Sequence, residues 1–166
     1  MKNLKLLLKR QLSNVPKGFV IAVLVVALLG FADATYLTLE HFRGVIPPCT
    51  TDGCETVLTS VYSKIAGVPV SLIGALYYLA VAISMVVYLD SKNVKVLKWG
   101  LLFTVFGLFC SVWFVFLQFF IVKAICQYCM ISAATSAVLF VLACVAFKKY
   151  SHNEESNEAN NVESNA

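Results

Sequence analysis

"WGLLFTVFGLFCSVWFVFLQFFIVKAICQYCMISAATSAVLFVLACVAF", residues 99–147, carries a single charged side chain, Lys123. That lysine divides the stretch into two apolar runs, 99–122 and 124–147. Each exceeds the ~18 residues that separate a membrane-crossing helix from a buried helix of a soluble protein. Two further runs of this kind, 18–42 and 69–89, lie earlier in the chain. A backbone in lipid must satisfy its own hydrogen bonds, so all four are expected to be helices. Composition points the same way, with 60% hydrophobic and 13% charged residues among 166 and a mean hydropathy of +0.82. These values exclude an ordinary soluble domain. The expected fold is an all-α integral membrane protein, a four-transmembrane-helix bundle over 18–147 with a lead-in at 1–17 and a tail at 148–166.

Lysine and arginine set the expected orientation. Lys2, Lys5, Lys9, Arg10 and Lys17 precede the first span, Lys92, Lys95 and Lys98 lie between the second and third, and Lys148 and Lys149 follow the fourth. The other side holds only Arg43, Lys64 and Lys123. Both termini are therefore expected in the cytoplasm, with the 43–68 loop and the turn at Lys123 on the outer face. The net charge of +4 is a topology signal and supports no nucleic-acid reading. Leu4, Leu7, Leu8 and Leu12 fall opposite the lead-in's basic residues, a pattern for a helix lying on the membrane surface. "ADA" at 32–34 has the form of a signal-peptide cleavage site, but "TYLTLEHF" after it continues the span to full length. The tail, rich in Asn, Ser and Glu, is expected to be disordered.

Topology sorts the six cysteines. Cys49 and Cys54 fall in the outer loop, and Cys126 and Cys129 at the outer end of the fourth span. Cys110 and Cys144 fall within spans, Cys144 about 22 Å deeper than Cys129 by the helical rise, and read as small apolar packing residues. Outside a bacterial membrane, thiols are bridged or belong to a redox relay. Cysteines at i and i+3 share a helix face and can bridge with little distortion. A helix N-terminus also stabilises a thiolate, which suits thiol exchange. A dithiol just below the outer surface could meet a two-electron acceptor dissolved in the bilayer, of which quinones are the obvious class. The C-x4-C and C-x2-C spacings also fit a four-cysteine zinc site, and a permanent disulfide fits them too.

The order of these pairs resembles the vitamin K epoxide reductase family in its short bacterial form, without a fused thioredoxin-like domain. The resemblance rests on Cys49 and Cys54 in the first outer loop, "CETVLTS" ending at Ser60, "GVPVSLIGALYY" opening the second span and "CQYC" opening the fourth. It covers roughly 19–147. In the thiol oxidases of the DsbB type the order of the two pairs is reversed. The resemblance implies a membrane thiol:quinone oxidoreductase with four catalytic cysteines. Cys49 would exchange with a separate DsbA-like, thioredoxin-fold thiol oxidase, Cys54 would link transiently to Cys126, and Cys129 would face the quinone, ubiquinone or menaquinone. Such an enzyme supports disulfide formation in exported proteins from the bacterial inner membrane and needs no metal. Residues 55–67 would form a short amphipathic helix capping the quinone site, with Val57, Leu58, Val61 and Ile65 on its apolar face. Where vertebrate members place an asparagine and a tyrosine that contact the vitamin K head group, this chain has Val70 and Ala133. That departure favours plain quinone reduction over epoxide reduction.

Other residues admit two readings each. Asp33 lies inside the first span, where an ionisable group is costly and is either functional or paired within the bundle. Ser60 could steady the loop or bond the quinone, and with Asp33 it completes the candidate quinone-binding or supporting residues. His41 sits at the outer end of the first span. Phe109, Trp113, Phe114, Phe116, Phe119 and Phe120 could wall a ring-shaped ligand or face lipid. Two other function classes remain open. A non-enzymatic membrane protein with a structural disulfide staple would tolerate loss of Cys129. A small transporter would need more polar residues along its spans than Asp33, Gln118 and scattered Ser and Thr.

Overall fold

The computed structural model describes residues 11–12, 15–49, 53–91 and 93–152. Its order is β1 (Gln11–Leu12), α1 (Lys17–Arg43), α2 (Gly53–Thr59), β2 (Lys64–Ile65), β3 (Val68–Pro69), α3 (Val70–Ser91), α4 (Val94–Phe116), α5 (Gln127–Tyr150) and β4 (Ser151–His152). Among the described residues, four helices are long and apolar enough to cross a membrane. The fold is thus the expected all-α bundle of four spanning helices. The "ADA" stretch lies inside the unbroken α1.

Local chemistry marks each turn of the chain. α1 starts after Pro16 and ends at Gly44, whose φ of 67° permits the left-handed cap that returns its N–H to the carbonyls of Glu40 and His41. Asn93 caps α4 by accepting a hydrogen bond from the Lys95 N–H at 3.1 Å. α4 continues as a π-helical turn, Leu117–Val122. Lys123 follows at φ 54° and reverses the chain toward α5.

β1 and β4 pair antiparallel, Gln11 with His152 and Leu12 with Ser151, so both ends of the described chain meet at one end of the bundle. This places Leu12 in a strand rather than in the surface helix expected for the lead-in. The rest of that helix, and the tail beyond residue 152, lie outside the described residues. At this terminal end, Val20, Val23, Met85, Leu97, Leu101, Leu139 and Ala146 form a closed core. Tyr78 ties the middle of the bundle together. Its hydroxyl donates to the Ser132 carbonyl at 2.6 Å and meets the Thr135 hydroxyl at 2.8 Å. Its ring lies on Gly30 of α1, where a Cβ would overlap the ring.

Candidate redox site

The opposite end of the bundle carries the four cysteines singled out from the sequence. Cys49 and Cys54 are joined by a disulfide, with Cα atoms 6.3 Å apart. Cys126 and Cys129 are both thiols. Cys126 is not within the fourth helix, as the apolar run had implied, but immediately before it. Its carbonyl accepts from the Met130 N–H at 3.1 Å, and its sulfur accepts from the Cys129 N–H at 3.4 Å. Cys126 is therefore the N-cap, with sulfur in the place an oxygen usually takes. The hydrogen bond with the Cys129 thiol, helped by the N–H groups of Cys129 and Tyr128, holds the Cys126 thiol down to about 7 from an ordinary 9.0. Burial and the nearby charge of Asp33 oppose that shift without cancelling it.

Gln118 fixes this helix start. Its side-chain oxygen accepts from the Cys126 N–H at 2.9 Å, and its own carbonyl takes the N–H groups of Lys123 and Ala124. The π-helical turn aims Gln118 inward, where it is buried. Two tethers then hold the loop over the motif. The Tyr128 hydroxyl donates to the Pro48 carbonyl at 3.0 Å, next to Cys49. Gly53 lies on the backbone of Ile125, and a Cβ there would stand 2.5 Å from the Ile125 carbonyl oxygen. This contact falls beside Cys54 and Cys126, both of which are fully buried. Among the described residues, no group of three or more His, Cys, Asp or Glu side chains is placed to hold a metal ion.

A cavity of ≈430 Å³ opens beneath the loop. Cys129 lines it from α5, and Val57, Leu58 and Ile65 close it from above. The cap is shorter than the single helix expected over 55–67. α2 ends at Thr59, a 3-10 turn covers Val61–Ser63, and β2 and β3 form a hairpin. The break follows from Ser60, whose hydroxyl bonds the Val57 carbonyl at 2.7 Å and whose carbonyl takes the Ser63 hydroxyl. Val61 consequently points away and is 83% exposed, so it does not share the apolar face of the cap.

Ser60, His41, Val70 and Ala133 line the cavity, as does Cys110, which is therefore more than the packing residue its sequence position suggested. Cys144 lies on the outer surface of the bundle rather than inside it. Of the six aromatic residues singled out in the third span, Phe114 lines the cavity, while Phe109, Trp113, Phe116, Phe119 and Phe120 are exposed; Phe106 of α4 lines the cavity as well. Asp33 is close enough for its charge to act on both Cys126 and Cys129, and its Oδ2 is buried with no hydrogen-bond partner among the described residues.

The family model for the vitamin K epoxide reductase family matches residues 21–144. The chain belongs to this family. The match takes in both cysteine pairs, the cap and all the cavity-lining residues. Members of the vitamin K epoxide reductase family are membrane oxidoreductases whose chemistry generally couples thiols, disulfides and quinones. No curated protein matches the chain. Sequence reasoning passed over Gly53, Gln118 and Tyr128 as parts of the site. Tyr128 lies within "CQYC" and could have been singled out, whereas Gln118 acquires its role only through the π-helical turn.

Proposed function

We propose that the protein is a thiol:quinone oxidoreductase that reoxidises a soluble, thioredoxin-fold dithiol protein of the DsbA type and reduces a membrane quinone. The observation that carries this reading is the division of labour between the cysteines. Cys129 lines an apolar cavity, while Cys126 is buried beside Cys54 under the loop that carries the Cys49–Cys54 disulfide.

The electrons move in three balanced exchanges. A thiolate of the partner attacks Cys49, and resolution leaves the partner oxidised and Cys49 and Cys54 as thiols. The Cys54 thiolate then attacks Cys126 of an oxidised Cys126–Cys129 pair, and Cys49 closes on Cys54 to release the dithiol. Finally Cys129 and Cys126 give two electrons and two protons to the quinone, forming quinol and regenerating their disulfide. The N-cap position favours Cys126 as a leaving group, because its thiolate is stabilised by the helix N–H groups. Asp33 lies where it could take up a thiol proton, and Ser60 steadies the cap.

Val70 and Ala133 bring no polar group to the cavity, which favours a plain quinone over an epoxide substrate. The lysine and arginine distribution supports both termini in the cytoplasm of a bacterial cell, with the cysteine end at the outer face. The test uses the purified full chain in detergent with a reduced thioredoxin-fold dithiol and either ubiquinone or menaquinone. Quinone absorbance should fall, and should not fall with Cys129→Ser. No turnover with either quinone, in folded protein whose disulfide is reducible, overturns the reading and leaves a structural staple.

A further inference from the structure

Two of the polar groups in the cavity wall stand unpaired among the described residues, and the relay does not use them. The hydroxyls of Tyr77 on α3 and Ser136 on α5 belong to residues that line it, and both are buried without a hydrogen-bond partner among the described residues. Ser136 is only 1% exposed. The Ser136 hydroxyl acts on the Tyr77 phenol, so the two lie together, yet not in the geometry of a mutual hydrogen bond. An unpaired buried hydroxyl costs about 1–3 kcal/mol, and native structures rarely leave one without a purpose. The neighbouring Tyr78 shows the ordinary arrangement, with its hydroxyl saturated by Ser132 and Thr135.

Tyr77 is also held rigidly. Its ring packs at 5.6 Å from that of Phe103 and at 5.0 Å from that of Tyr78. It lies directly on Gly107 of α4, where a Cβ would overlap both the ring and the hydroxyl. The absent side chain at Gly107 is what lets the phenol reach its place.

We propose that Tyr77 and Ser136 form the polar subsite for the quinone carbonyl that lies farther from Cys129. The proposal rests on the quinone reading of the cavity. Ser136 follows Cys129 by seven residues on the same stripe of α5, about 10 Å along the helix axis. A para-quinone carries its two carbonyl oxygens at opposite ends of the ring. A ring with one end against the Cys129 sulfur therefore directs its other end toward Tyr77 and Ser136. A carbonyl oxygen only accepts hydrogen bonds, and both hydroxyls can donate. As the ring takes up electrons, that oxygen gains negative charge and the two hydrogen bonds strengthen.

The experiment measures equilibrium binding of 2-methyl-1,4-naphthoquinone to the full chain in detergent and the carbonyl bands of the bound quinone by infrared difference spectroscopy. Saturable binding is expected, with one carbonyl band moved to lower frequency. Tyr77→Phe keeps the ring on Gly107 and should abolish that displacement, weakening binding about three- to tenfold. Ser136→Ala should act in the same direction, and in both variants thiol exchange between the two cysteine pairs should be unchanged. Saturable binding with unaltered affinity and unaltered bands in both variants overturns the subsite alone. No saturable binding by the unsubstituted protein overturns the quinone reading itself, and the subsite with it.

Discussion

At the end of the bundle where the chain termini meet, Val20, Val23, Met85, Leu101, Leu139 and Ala146 have no accessible surface. At the other end, the same four helices and the cap enclose a cavity of ≈430 Å³ with two thiols and several hydroxyl-bearing residues in its wall. Close packing supplies dispersion contacts and a unique arrangement. A cavity forfeits some of those contacts and gains room for a ligand. The terminal end thus positions the helices, and the loop end uses that positioning for chemistry. Substitutions at the two ends should separate stability from turnover.

The largest effect is expected from Cys129→Ser. Thiol-driven quinone reduction should fall to background while the melting temperature stays within a degree or two, read by thermal unfolding in detergent. Gly53→Ala ranks next, because a methyl group there meets the Ile125 backbone and pushes the cap away from Cys126. Misplacing reacting groups by about 1 Å can cost about a hundredfold, so a loss of that order is expected in the exchange between the two pairs, followed by rapid-quench thiol trapping. Leu139→Ala tests the closed end. It should lower stability by about 2 kcal/mol or more and leave the turnover of folded protein unchanged. A comparable loss of turnover would break the comparison.

Two smaller effects sharpen it. Gln118→Leu leaves the buried Cys126 N–H without its acceptor, which should cost about 1–3 kcal/mol and slow exchange by loosening the helix start. The pH profile of quinone reduction by the Cys126–Cys129 dithiol tests the N-cap directly. The Cys126 thiol, lowered to about 7, is protonated below that pH and a thiolate above it. The rate of forming the Cys126–Cys129 disulfide should climb as pH rises to about 7 and level off beyond, well before an ordinary thiol would.

The difference between Tyr77 and Tyr78 is the same comparison at the scale of one residue. Both stand in "GALYY", and nothing in that pentapeptide separates them. Both line the cavity, but the Tyr78 hydroxyl is saturated by α5 while the Tyr77 hydroxyl is unpaired among the described residues. Which tyrosine does which depends on Gly30 and Gly107, contributed by two other helices.

The sequence alone determined that four apolar runs cross a membrane and that Cys49, Cys54, Cys126 and Cys129 belong to its same end. Those conclusions need only the length of apolar runs against the thickness of a bilayer, together with the order of the cysteines along the chain. Only the tertiary structure decided that Cys126 precedes its helix, that the cap breaks at Ser60, and that Tyr77 rather than Tyr78 keeps an unpaired hydroxyl among the described residues. Each of these depends on a competition the sequence does not display. A serine hydroxyl takes a helix carbonyl, a glutamine from the preceding turn claims the Cys126 N–H, and two glycines leave space for two rings.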